Sequence, residues 1–172
     1  PTGTYPKEEF LNESDVNRLA RNESIEKTIV QVKKDNLDED VQLASGSAWS
    51  EPETPYDAVY PFNHVTETES GHIFEMDDTN GAERLHKYHK AGTFEEVHAD
   101  GTRVTKIIAN NYSIIAGSDF CHIKGQCNIT VDSDATLYIK GSLVERIDGD
   151  YTIDVKGSIT ETVGGSKTET VT

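Results

Sequence analysis

Glycine recurs as Gly117, Gly125, Gly141, Gly149, Gly157 and Gly165. Each interval is eight residues or sixteen, and the skipped slot holds Ser133. Two residues before each slot stands a β-branched aliphatic: Ile115, Ile123, Val131, Ile139, Ile147, Val155 and Val163. Ile107 and Val171 extend the line at both ends. A fixed short period of this kind marks a repeat architecture, in which each unit is too small to bury its own apolar face.

Within the octads the chain alternates. Cys127, Ile129 and Val131 interleave with Gln126, Asn128, Thr130 and Asp132, and Ala135, Leu137 and Ile139 with Thr136, Tyr138 and Lys140. Period two predicts a strand with one buried face. The glycine is expected at a corner, where positive φ or a close backbone approach is needed.

A strand of about six residues spans roughly 20 Å. That is one side of a β-helix, and a closed coil needs two or three sides. The simplest closure is three chains winding round one axis, each giving one side of a triangular prism and stepping to the next face at every corner. Ladder hydrogen bonds then run between chains, and folding and trimerisation are one event. Each octad would climb roughly 4.8 Å. Stacked octads come from different chains, which sets the corner residues Lys124, Asp132, Lys140, Asp148 and Lys156 in alternating charge along a face.

Of the 172 residues, 34% are apolar, thin for a monomeric core and ordinary for a narrow shared one. The net charge of −15 argues against nucleic acid or anionic lipid as a partner. No run approaches transmembrane length and no signal-peptide pattern occurs. Cys121 and Cys127 lie on the aliphatic parity and read as small buried thiols; no CxxC or Cys/His spacing points to zinc.

Three regions follow. Residues 1–62 read as a linker or strap, and the start at Pro1 suggests a piece of a longer protein. A short helix is predicted from Asn12 through Arg21, and a second from Ser24 with Ile25, Ile29 and Val32 on one face. From 37 to 61 an extended strap is expected, with Trp49, Tyr56, Tyr60 and Phe62 as anchors. Residues 63–108 alternate strand-like runs (64–69, 72–77, 83–89, 93–98 and 102–108) with turns at Ser70-Gly71, Asn80-Gly81, Ala91-Gly92 and Asp100-Gly101, an antiparallel meander. Residues 109–172 carry the octads. The fold class expected is all-β: an intertwined trimeric triangular β-helix preceded by antiparallel hairpins and a strap with one or two short helices.

The run from Glu69 through Asp78-Thr79-Asn80-Gly81 to Arg84, with His89-Lys90-Ala91-Gly92-Thr93-Phe94 and Asp100-Gly101-Thr102, resembles a motif of contractile-tail spike proteins. The octads resemble the needle of the same family, which includes the cell-puncturing spike of T-even-type phages and the valine–glycine-repeat spike of type VI secretion. Tyr5–Phe10 and Asn12–Asn22 resemble the strap of the phage branch. Asn80-Gly81 replaces the family's frequent Pro-Gly. The resemblance implies a virion baseplate location after assembly in the host cytoplasm, and a baseplate hub protein at the N-terminal side. It also implies a conical PAAR-repeat-type tip protein at the C-terminal end. No lysozyme domain falls within these residues, so no catalytic residue is expected, although the parent protein of some members carries one. Val171-Thr172 stop inside an octad.

His86 and His89 lie three apart and face opposite sides of a strand. The family's metal-holding His-x-His pair does not occur, so neither metal nor cofactor is expected. Parity puts Glu145, Glu161, Lys167 and Glu169 on the aliphatic side, where threefold copies would form a polar plug or hold trapped water or ions. The expected function is a homotrimeric, non-enzymatic spike driven through the host outer membrane by sheath contraction. Three other architectures compete: a globular domain that would run as a monomer, a trimeric tail-fibre or adhesin shaft, and a single-chain β-helix polysaccharide-degrading enzyme. The latter would need longer coils and a carboxylate groove.

Overall fold

The computed structural model describes residues 40–68 and 70–171. Both helices expected before residue 34 lie outside the described residues. Within them the chain is all-β, and it divides into two units that meet between Thr130 and Val131.

The first unit holds a two-stranded hairpin, β1 (Val41–Gln42) with β2 (Ala48–Trp49), which the sequence reading did not separate from the strap. It also holds a five-stranded antiparallel meander: β3 (Asn63–Glu67), β4 (Ile73–Asp77), β5 (Arg84–Tyr88), β6 (Phe94–Val97) and β7 (Arg103–Lys106), in spatial order of sequence. β4 to β7 fall inside the runs read from alternation, shorter by one to three residues, and β3 begins one residue before its run and ends two residues before the run does.

The turns explain the register. The His89 amide donates to the Thr93 carbonyl and the Gly92 amide to His89; Thr68, Gly71 and His72 repeat this pattern, as do His98, Gly101 and Thr102. Each closing glycine has φ between 85° and 99°. A type I turn ended by a left-handed residue fixes the hairpin, and only glycine takes that residue without strain. The Leu43–Ser47 turn of the small hairpin uses the same device at Gly46.

The sheet is inverted relative to a simple amphipathic expectation. Its inner face buries Ile73, Tyr88 and Phe94 in one row, packed with Val65, Val104 and Tyr56. The adjacent positions bury Glu75, Asp77, Arg84, His86 and Glu96. The outer face leaves Phe74, Met76 and Leu85 about half exposed, with Met76 and Leu85 directly opposite each other.

The inner face is covered by the segment 50–62. Val59 and Phe62 close a turn leading straight into β3, so the segment folds back on its own sheet. The Val59 amide donates to Thr79 Oγ1 (2.9 Å), Thr54 Oγ1 to Glu96 (3.0 Å), and Lys106 Nζ to Glu51 (2.7 Å). Ala58 is fully buried. Of the four expected anchors only Tyr56 docks; Trp49, Tyr60 and Phe62 stay about half exposed or more. Polar contacts with the sheet replace the aromatic anchoring expected from composition.

From 107 to 171 the described chain forms no strand and buries no residue. Bends occur at 108–109, 116–117, 124–125, 132–133, 140–141, 148–149, 156–157 and 164–165, one every eight residues without omission. The second unit, from Val131 onward, consists wholly of these repeats.

Candidate functional site

Two features hold this chain's chemistry: the charge network under the strap and the octad line. In the network, Arg84 Nη2 donates to Glu75 Oε1 (2.7 Å) and Nη1 to Glu96 Oε2 (2.8 Å). His86 Nδ1 lies 2.6 Å from Glu75 Oε2, and Asn63 Nδ2 donates to Glu75 Oε1 (3.2 Å). His98 Nε2 lies 3.2 Å from Glu96 Oε1. The Tyr56 ring covers the guanidinium, 4.9 Å from its carbon. Arg84, Glu75 and Glu96 are at most 2% exposed.

Alternation along β4, β5 and β6 places these groups. Glu75, His86 and Glu96 stand opposite one another across three strands, and Arg84 sits one inward position along β5. Burial pushes the Glu75 carboxyl up, but the His86 hydrogen bond and the nearby Arg84 charge outweigh it and hold the group below the usual carboxylate range. Burial also pushes the Tyr56 and Tyr88 phenols up. A buried pair of this kind is costly to desolvate and strongly destabilising to break, which suits it to fixing one docking register for the strap. The sequence reading weighed His86 only as a metal candidate and did not see the network. The available signal was charged residues at inward-parity positions of the meander.

In the octads each predicted corner glycine is the second residue of a bend. None has the positive φ that the sequence reading allowed; among the described residues that conformation belongs to Gly46, Gly71, Gly81, Gly92 and Gly101. A Cβ on Gly117, Gly125, Gly141, Gly149, Gly157 or Gly165 would meet no atom of its own chain. Ser133 and Ala109 form the same bend without glycine. The corner is therefore a matter of spacing rather than of left-handed backbone.

The aliphatic line is distinguished by its shelter. Ile115, Ile123, Val131, Ile139, Ile147, Val155 and Val163 retain 41–54% of their surface, whereas Ile129 and Leu137, on the same parity, retain 83% and 77%. The local bend covers about half of each side chain and leaves the other half open. Lys167 Nζ donates to Glu161 Oε2 (2.7 Å), so two of the four polar residues on that parity pair within the chain; Glu145 and Glu169 are exposed. Arg146 pairs with Asp148 (3.0 Å) inside one octad. Cys121 and Cys127 are free thiols and exposed in the single chain. Among the described residues no cluster of three metal-ligating side chains exists, and no helix is long and apolar enough to cross a membrane. His86 is buried and His89 exposed, as alternation requires.

No protein-family profile matches the chain. It is 46% identical to Protein Gp5 of Vibrio phage KVP40, over a match covering 80% of this chain and 39% of that protein. It is 35% identical to the pre-baseplate central spike protein Gp5 of Enterobacteria phage T4, covering 72% of this chain and 22% of that protein. The chain thus spans well under half the length of these curated relatives.

Proposed function

The chain is a homologue of part of Gp5, the central spike protein of T4-like phage baseplates, and on that premise we propose that it is the needle-bearing segment of such a spike. Three copies wind into a triangular β-helix over 109–172, each octad giving one side. The glycine corners and the aliphatic line carry the assembly, with Glu145, Glu161, Lys167 and Glu169 as a polar lumen. A baseplate hub protein holds the N-terminal side and a conical PAAR-type protein caps the C-terminal end. Sheath contraction drives the needle through the host outer membrane. The work is mechanical, and these residues catalyse nothing.

One observation supports this reading above the others. Eight bends at a constant period join extended sides that have no ladder partner in their own chain, and each bend half-covers one aliphatic. Backbone donors and acceptors left open in this way need partners, and the exposed halves of the aliphatics need a core. Sister chains supply both, and closing the prism leaves no lateral sheet edge. Interwound strands also resist buckling, since many intermolecular bonds must break together.

The test is solution mass with resistance to SDS at room temperature. Three copies of 19.0 kDa give a particle of about 57 kDa that survives the detergent. A folded species at the mass of one chain overturns the proposal. Binding of a conical tip protein at the distal end separates a spike from a fibre shaft.

A further inference from the structure

Asparagine is a thermolabile residue, and in this chain it is followed by glycine once, at Asn80-Gly81. The pair forms the middle of the turn between β4 and β5. The Ala82 amide donates to the Thr79 carbonyl (2.9 Å), and Gly81 has φ of 82°, a conformation that glycine takes without strain. Asn80 and Gly81 are exposed, whereas Thr79 and Ala82 on either side are buried. A Cβ on Gly81 would meet no atom within 4 Å, so nothing crowds the Gly81 nitrogen. Its N–H donates to Glu83 Oε2 at 3.0 Å rather than to a backbone carbonyl. A carboxylate at that distance can take the proton as well as accept the bond.

Asp100-Gly101 has the same spacing and the opposite arrangement. The Gly101 amide donates to the His98 carbonyl (2.9 Å), which takes no proton. Asp100 Oδ1 accepts from the Thr102 amide (2.8 Å) and Oδ2 from Thr102 Oγ1 (3.0 Å). The backbone bond from Thr102 and then the hydroxyl bond hold this carboxyl below its usual range, so it stays ionised and resists attack by an amide nitrogen.

The Asn80 turn also holds the strap. Thr79 Oγ1 accepts from the Val59 amide (2.9 Å), and the Asp78 amide donates to the Phe62 carbonyl (3.1 Å). A change in the backbone at position 80 is therefore felt one and two residues away, at both bonds.

We propose that Asn80 is a site of spontaneous modification: the Gly81 nitrogen attacks the side-chain amide carbon of Asn80 while Glu83 takes the Gly81 amide proton. A bond forms between Gly81 N and Asn80 Cγ, the Cγ–Nδ2 bond breaks, and ammonia leaves carrying the proton that Glu83 accepted. Water then opens the cyclic imide at either carbonyl, giving aspartate or isoaspartate at position 80. Both products add a negative charge to a stretch that already carries Asp77, Asp78 and Glu83. Isoaspartate also lengthens the main chain by a methylene, which re-aims Thr79 and loosens the strap at Val59. This chemistry needs a single chain and goes beyond the spike reading.

Storage of the full chain at neutral pH, followed by peptide mapping in a mass spectrometer, tests it. Position 80 should convert at least as fast in the folded chain as in the same chain held unfolded in urea, while Asp100 should isomerise more slowly folded than unfolded. In Glu83→Gln the folded rate should fall roughly tenfold or more, and its dependence on pH around neutrality should steepen, since hydroxide must replace the carboxylate. Hydrogen exchange should find the Val59 amide exchanging about tenfold or more faster in stored chain than in fresh chain. Asn80→Pro, which suits the second position of this turn and cannot react, should show no such change on storage. An Asn80 that survives in the folded chain while it is lost in urea overturns the proposal. An unchanged rate and pH profile in Glu83→Gln removes Glu83 from it, and equal Val59 protection before and after storage removes the strap.

Discussion

Arg84 lies sealed against Glu75, its Nη2 2.7 Å from the carboxylate, on a sheet face covered by its own strap. Removing one partner of such a pair strands the other charge in a dry site. Arg84→Ala leaves Glu75 and Glu96 facing each other and should destabilise the hairpin module by about 3–5 kcal/mol. Urea unfolding followed through Trp49, the only tryptophan, reads this directly. An unchanged midpoint would show that the network does not hold the strap.

Acid should act on the same network. The Glu75 pKa is depressed in the fold, so its contribution is present above the ordinary carboxylate value and is lost as pH falls through the lower folded value. Strap docking should weaken below about pH 4.5. In Glu75→Gln this acid limb should be flatter and the neutral-pH stability lower. Unfolding midpoints across a pH series check both.

Gly101 and Gly141 should respond differently. Gly101 has φ of 85°, so Gly101→Val should cost about 1–2 kcal/mol in the hairpin module. Gly141 has no positive φ and open space around its Cβ position within the chain, so Gly141→Val should leave that module's stability unchanged. Any loss of SDS resistance in Gly141→Val therefore reports on a neighbouring chain. Thermal unfolding of the two variants, beside their solution masses, separates the effects.

Ile139 is the most sheltered of the seven aliphatics from Ile115 to Val163, at 41%. Burying its remaining surface against sister chains would contribute on the order of 1 kcal/mol per copy, and a charge there would be far more costly than that gain. Ile139→Asp should shift the particle toward single-chain mass, whereas Tyr138→Asp, on the outward parity, should not. Equal masses for the two variants would contradict the parity assignment.

The hairpins were legible because their signals are local. Ser70-Gly71, Ala91-Gly92 and Asp100-Gly101 fix turns whose geometry only the adjacent strands must satisfy, and the strands emerged within a few residues of expectation. The octad bends were legible by spacing, although the role assigned to glycine was not: positive φ turned out to belong to the hairpins. The network was illegible because Glu75, Arg84, His86 and Glu96 are buried by tertiary pairing across strands that are 9 to 12 residues apart, and charged residues default to the surface in any reading of composition. Trp49, Tyr60 and Phe62 misled for the converse reason, since aromatic content does not reveal which side of a strap faces the sheet.

A corner that forms at Ala109 and Ser133 as well as at glycine asks no left-handed backbone of the residue that makes it. Whole octads can then be duplicated or deleted like threads on a screw, each changing reach by a fixed increment and leaving every other turn in phase. In the needle proposed above, length then becomes a trait that lineages can tune gradually.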